Sequence, residues 1–433
     1  MSPQVSELEK GAAAGCSPRR ILLCAFACRP YAGSEPMVGW SAYQALRTRH
    51  QVKVICSASG ARAIEKAVQE GQASADDFLM VPERWRNVGR PAVDKLTVWL
   101  NTFDFQRNLA RNARALIRDF RPEVIHQVTI ATWRAGNSLR GCGIPLVWGP
   151  LGGGESIPLS FLGTFSSYSK GFELLRILSG FFSRHNREVV QTARQAGWVF
   201  AGNQPTASLL RRLRGRDEGL EVLPVVAFAR DRLREFLPRA GERRPGPLRM
   251  FSGGYVEARK GMGLALRALG NLKKQGYRFD YEHAGIGPEQ AHLTNQIRRE
   301  GLSDCVRFVD SYTGPAYGQK LRETDIYLFP SLRENCGISL LEAMGHGCVP
   351  VVADHAGPGE IVSPECGVKI PVTRPAEFID RLTEELAKLF RDEERRRRLG
   401  EAARLRVMEN FSREHWLSRV ENAYELARGR HIG

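Results

Sequence analysis

A chain of 433 residues with 42% hydrophobic and 25% charged residues has a globular composition, long enough for two α/β domains of about 200 residues that each bury a core. No apolar run of roughly 18 residues or more is present to cross a bilayer. The net charge of +16 favours phosphate-rich partners, and nine scattered cysteines, several in apolar strands (Cys24, Cys56, Cys348), argue for buried thiols in a reducing, cytoplasmic compartment and against a metal site.

Residues 1–18 hold Gly, Ala, Ser and charges without a continuous apolar core, and read as a disordered leader and not a secretory signal. Residues 19–228 then read as a first Rossmann-like domain. The strand from Arg20 ends in a loop carrying Gly33, which either makes a turn or lets a ligand approach the backbone; a helix from Val38 and a strand at Val52–Cys56 complete a βαβ start. The strand Glu123–Thr129 carries His126 near its carboxyl edge, the usual place for chemistry in such domains, although a single histidine is also a common core residue. A strand from Ile144 runs into Gly152, Gly153, Gly154 and Glu155; without a following Lys and Ser/Thr this is no P-loop, which argues against an ATPase. Residues 158–185 mix aromatics with Lys170, Arg176 and Arg184, and either lie on an anionic membrane surface or pack on the domain beside its cleft.

Residues 229–246 shift to charge, Pro and Gly and read as a linker before a second domain over 247–410. A strand from Leu248 ends in Gly253 and Gly254, and the next loop carries Arg259 and Lys260 before a helix. The most informative stretch starts at Ser331. A buried strand, Ile326–Phe329, leads to Glu334, then Gly337, then a helix from Ile338, so the amides of Gly337, Ile338 and Ser339 lie at a helix N-terminus that attracts phosphate. Glu342 follows about one turn into that helix, within reach of a ribose, and Glu334 lies nearer the sugar end. The basic run Arg395–Arg398 follows Asp392-Glu-Glu on a helix with Leu386, Leu389 and Leu399, a solvated face; with no nucleic-acid motif present, nucleic acid is not an expected partner. Ser412 is a plausible N-cap for a last helix over 411–433.

Pro330-Ser331, Glu334-Asn335, Gly337, Leu341-Glu-Ala-Met344, Gly347 and Pro350-Val-Val352, together with Pro30, Gly33-Ser34-Glu35 and Gly39-Trp40, resemble the retaining GT-B glycosyltransferases of family four. The resemblance covers residues 20–428. It implies an α/β GT-B fold, two Rossmann-like domains facing across a cleft with the C-terminal helix crossing back to the first. It also implies a nucleoside-diphosphate sugar as donor, a saccharide or lipid-linked acceptor, and no cofactor. By the same resemblance Lys260 is the diphosphate ligand, Glu342 holds the ribose, Glu334 steadies the sugar, and Gly33 and Ser34 face the donor diphosphate and acceptor. Gly285 borders the base, His126 lies near the reacting groups, and Gly153, Gly154 and Glu155 lie on the acceptor side. Three positions depart from the pattern: Cys336 replaces an aromatic residue, Val128 a second histidine, and Gly254 an arginine that Arg259 could replace.

No Asp-x-Asp pair occurs, so a metal-independent, retaining transfer of a hexosyl group is expected, with the leaving diphosphate met by Lys260, Arg259 and the helix amides. The excess positive charge and the aromatics point to envelope or exopolysaccharide synthesis. A sugar-nucleotide epimerase and a catalytically silent nucleotide-sugar-binding protein are the alternatives; a phosphorylase lacks support in any pyridoxal-binding lysine motif.

Overall fold

The computed structural model describes residues 17–236 and 246–429, apart from Ala32, Ser34, Asn87, Val88, Arg90 and Thr313. Ser34, most of the leader and the centre of the expected linker lie outside the described residues.

Two parallel sheets organise the chain. The first holds seven strands, β1 (Arg20–Ala25), β2 (Gln51–Ser57), β3 (Phe78–Val81), β4 (Val124–Thr129), β5 (Leu146–Leu151), β6 (Trp198–Ala201) and β7 (Leu220–Val222), in the order 3-2-1-4-5-6-7. The second holds six, β8 (Leu248–Gly253), β9 (Phe279–Ala284), β10 (Val306–Val309), β11 (Ile326–Phe329), β12 (Val349–Asp354) and β13 (Val368–Pro371), in the order 10-9-8-11-12-13. Both are α/β sheets with helices on each face. Strand β1 shows why: Ile21, Leu23 and Ala25 pack into one core and Leu22 and Cys24 into another, so a continuous apolar run fills both faces of a buried strand.

The order in which strands are added reverses once in each sheet, between β1 and β4 and between β8 and β11. At such a switch point the loops leaving the carboxyl ends of the two central strands diverge and leave a crevice. In the second domain β8 and β11 are directly paired, Met250 with Ile326 and Phe251 with Tyr327, which brings the loop carrying Lys260 beside the loop carrying Glu334.

The helix Arg413–Gly429 returns to the first domain, where Trp416, Leu417, Val420, Ala423, Tyr424 and Ala427 join the core beside β1 and β4. The two crossings between domains are bonded to each other: Phe228 N–H donates to Phe411 O and Arg413 N–H donates to Phe228 O, both at 2.8 Å. A second exchange runs the other way. Ile157, Phe161 and Phe165, from the first half of the chain, lie in the core of the second domain, with the Phe161 and Phe378 rings edge to face at 6.0 Å.

The structure corrects the expectation that His126 faces the cleft. Its side chain is fully buried, Nδ1 pairs with the Tyr424 hydroxyl at 2.7 Å and Nε2 with Gly149 O at 2.8 Å, so both ring nitrogens are engaged inside the protein. His126 fastens the returning helix to β4. Burial holds its pKa at about 4, against a weaker opposing pull from the Gly149 carbonyl. The folded protein therefore leaves this ring neutral down to pH 4, while the unfolded chain binds a proton there below its ordinary value. Stability from this group is complete above about pH 6.5 and is lost as pH falls towards 4, by up to about 3 kcal/mol. Urea denaturation above and below that window should show a smaller pH difference for His126→Gln than for the native protein.

Candidate active site

The corner at the carboxyl end of β11 is built from constraints that the local sequence imposes. Gly337 sits at φ 106°, a conformation other residues avoid, and starts the helix Ile338–Gly345 with no side-chain cap on its first amides. Those N–H groups stay available to an anion. On the facing loop, Ala258–Lys260 form a single tight turn closed by Gly261 at φ 70°, where a Cβ would collide with Pro330 O. Leu332 N–H donates to Arg259 O at 2.9 Å, so the two loops are hydrogen-bonded across the switch point.

Between them lies Glu334. Its Oε2 accepts from Lys260 Nζ and from Arg259 Nη1, the latter at 3.2 Å, and Arg259 also donates to Arg333 O at 2.9 Å and to Glu257 at 2.7 Å. Burial works to raise the Glu334 carboxyl, but the charges and hydrogen bonds of Lys260 and Arg259 outweigh it and hold it below the usual carboxylate range. Burial lowers Lys260 despite the pull of Glu334. The pair is a lysine and a carboxylate that satisfy each other. Lys260 also stands over the Phe329 ring, 5.3 Å from its centre.

The glycines expected here have defined roles. Gly253 N–H donates to the Tyr327 hydroxyl at 3.1 Å, and Gly253 O accepts from Ser339 Oγ at 3.3 Å, which ties the end of β8 to the helix start. Gly254 (φ 140°) and Gly285 (φ 151°) press together so closely that a Cβ on Gly285 would meet Gly254 O. The resulting pocket is lined by Ser252, Gly254, Lys260, His283, Phe329 and Ser331 among others. Glu342 lies farther along the same helix and accepts from Arg232 Nη2 at 3.0 Å; burial raises its pKa and Arg232 works against that. Arg232 belongs to a segment that reads as linker in the sequence, and only its charge marked it.

The structure thus brings together Arg259, Lys260, Gly253, Gly254, Gly285, Glu334, Gly337, Ile338, Ser339 and Glu342, and leaves His126 out. Gly33 is exposed with open space around it, while Glu35 beside it accepts from Ala131 N–H. Gly153, Gly154 and Glu155 lie in the first domain, on the loop after β5, where Gly153 packs against Arg134 and Gly154 against Thr206. Glu155 is buried and accepts from Gly153 N–H at 2.9 Å and Thr206 Oγ1 at 3.3 Å, bracing the loop from within. Among the described residues no three His, Cys, Asp or Glu side chains group as metal ligands.

Asn335 closes the gap between the domains. Its side chain occupies the space left by Gly152 and Gly202, where a Cβ on either would overlap it, and Asn203 Nδ2 donates to its Oδ1 at 2.9 Å and to its carbonyl at 3.2 Å. The residue next to Glu334 is therefore a latch between domains.

Residues 234–406 match the family model described as glycosyl transferases group 1. Over these residues the chain is similar to the group 1 glycosyl transferases. It is 35% identical over 122 residues to the amylovoran biosynthesis glycosyltransferase AmsK of Erwinia amylovora, covering 27% of this chain and 30% of that one. It is 31% identical over 167 residues to the putative colanic acid biosynthesis glycosyltransferase WcaL of Escherichia coli K12, covering 35% of this chain and 41% of that one. The matching stretch thus spans less than half the length of these relatives. At the level of fold the likeness extends over nearly the whole chain. A glycosyltransferase from Rickettsia africae superposes with a TM-score of 0.62 at 13% identity, over 95% of this chain and 99% of that one. Anabaena Alr3699/HepE, solved with UDP and glucose, superposes with a TM-score of 0.59 at 16% identity, over 93% and 98%. The two facing sheets and the returning helix are the GT-B architecture.

The Asn335 latch has a direct test. Gly202→Ala puts a methyl group where the Asn335 amide lies, and should raise the radius of gyration in small-angle X-ray scattering relative to the native protein as the domains part; Asn335→Gly in the same background should reverse the change.

Proposed function

We propose that this protein is a glycosyltransferase that moves a hexosyl group from a nucleoside-diphosphate sugar to a saccharide or lipid-linked acceptor, with retention and without a metal. The observation that carries the reading is the convergence of Lys260 and Arg259 on Glu334 beside the uncapped helix at Gly337. A diphosphate seated on the amides of Ile338 and Ser339 draws Lys260 away from Glu334 and meets the charge that develops as the sugar departs. Glu334, released from one cation, then faces the sugar and stabilises its oxocarbenium-like state, while Glu342 takes the ribose hydroxyls. His126 has no part in this scheme. The acceptor enters from the first domain, past the glycine loop at Gly153. Relatives named for amylovoran and colanic acid biosynthesis support a role in exopolysaccharide or envelope assembly. HepE, solved with UDP-glucose, makes UDP the first nucleotide to try.

The helix Ser167–His185 supports a place at a membrane surface. No helix among the described residues is long and apolar enough to cross a membrane, yet this one exposes Leu174, Leu175, Leu178, Phe181 and Phe182, the last at 70%. Lys170 and Arg184 on the same helix suit anionic lipid.

Two measurements test the reading. UDP should raise the melting temperature of the native protein in the absence of metal, with the shift reduced at least tenfold in apparent affinity for Lys260→Ala and Glu342→Gln, since a charge-assisted hydrogen bond contributes about 1.5–3 kcal/mol. No shift with UDP, GDP or ADP would refute the donor corner, and turnover of a nucleotide sugar without any acceptor would favour an epimerase. Leu175→Glu with Phe182→Glu should lower binding to phosphatidylglycerol vesicles by about two to four orders of magnitude, from about 1.5–3 kcal/mol per side chain, and leave UDP binding unchanged.

A further inference from the structure

Beside the donor corner, where the two domains meet, Arg134 and Arg176 of the first domain and Arg333 of the second gather around two carboxylates. Arg176 donates to Glu173 Oε1 at 2.7 Å, and Arg333 stands 3.2 Å from Glu173 Oε2, so one buried carboxylate serves two cations. Glu155, the second carboxylate, is taken up by its own loop. Arg134, in the loop after β4, touches neither carboxylate directly, although both Glu155 and Glu173 act on its charge from a distance. Its side-chain nitrogens make no hydrogen bond or ion pair among the described residues, and its shielded Nε has no acceptor. Its guanidinium lies 5.3 Å from the Trp133 ring centre. The surroundings are cut to fit: a Cβ on Gly153 would stand 3.2 Å from Nη1, and one on Gly180 would stand 3.4 Å from Nη2. Arg333 Nε is likewise shielded and without an acceptor. Burial lowers both Arg134 and Arg333 to about 10, and Arg176 adds repulsion to each.

Arginines held this way lose hydration without gaining a full set of acceptors, an arrangement that costs stability unless an anion completes it. The donor diphosphate has its own cations in Lys260 and Arg259, whereas the Arg333 side chain pairs with Glu173 of the first domain. We infer that Arg134, Arg176 and Arg333 form an anion subsite on the acceptor side of the cleft, which holds a phosphoryl or carboxylate group carried by the acceptor. The planar guanidinium fork suits either group. The assignment to the acceptor rests on the transferase reading above; the subsite itself does not.

Trp133 supplies the probe. Tryptophan fluorescence of the full chain, titrated with methyl phosphate and separately with glucuronate, should report saturable binding that Trp133→Phe no longer reports, and whichever probe binds more tightly names the anion. Arg134→Gln and Arg333→Gln should each weaken binding on the order of tenfold. Arg134→Lys should keep part of it, and Lys260→Ala should leave it unchanged. Binding that survives both glutamine variants, or that vanishes in Lys260→Ala, overturns the subsite, as does no binding by any probe in a native protein that melts normally. The shift produced by UDP, read on the same samples, reports the donor corner independently. Loss of nucleotide binding with intact Arg134-dependent anion binding would count against the transferase reading and not against the subsite.

Discussion

A carboxylate buried between two cations is the interaction on which the second domain's crevice depends. Glu334 sits on the loop after β11, Arg259 and Lys260 on the loop after β8, and the salt bridges between them join two segments that diverge in opposite directions from paired strands. Removing one partner from such a cluster usually costs about 3–5 kcal/mol, whereas the intact cluster adds little net stability. Its value here lies in readiness. On the transferase reading proposed above, the cations are already desolvated, so an arriving diphosphate has to displace only a carboxylate from Lys260, and that carboxylate is then free beside the sugar.

The fold was legible because its signals are local. Apolar runs ending in glycine, such as Leu248–Gly253, separated by helical stretches, leave a parallel sheet with both faces covered as the natural solution, and the corner from Ser331 to Glu342 showed its strand, turn and helix directly. The residues that line this corner could be read for the same reason: a glycine before a helix and a lysine before another are features of a few neighbouring positions.

What could not be read depends on distant contacts. A histidine near the end of β4 is a cleft residue if nothing covers it, and here Tyr424, 298 residues away, does. Arg232 acquires a role only when the chain folds back over Glu342. Gly152 and Gly202 are unremarkable strand-end glycines until Asn335 arrives from the other domain. The segment around Phe161 reads equally as a surface or as packing, and the structure divides it: Phe161 and Phe165 enter the second domain's core, whereas Phe181 and Phe182 stay outside.

The paired crossings at Phe228 and Phe411 constrain how the halves can move. A single flexible tether would let one domain swivel, slide and tilt relative to the other. Two tethers fused by a pair of hydrogen bonds behave as a strap of fixed width, stiff to sliding and to twist about its length, and compliant to bending across it. Ile157, Phe161 and Phe165, buried in the second domain's core, join the halves again, and together these connections hold Asn335 against its pair of glycines and Arg333 beside Glu173 in one register.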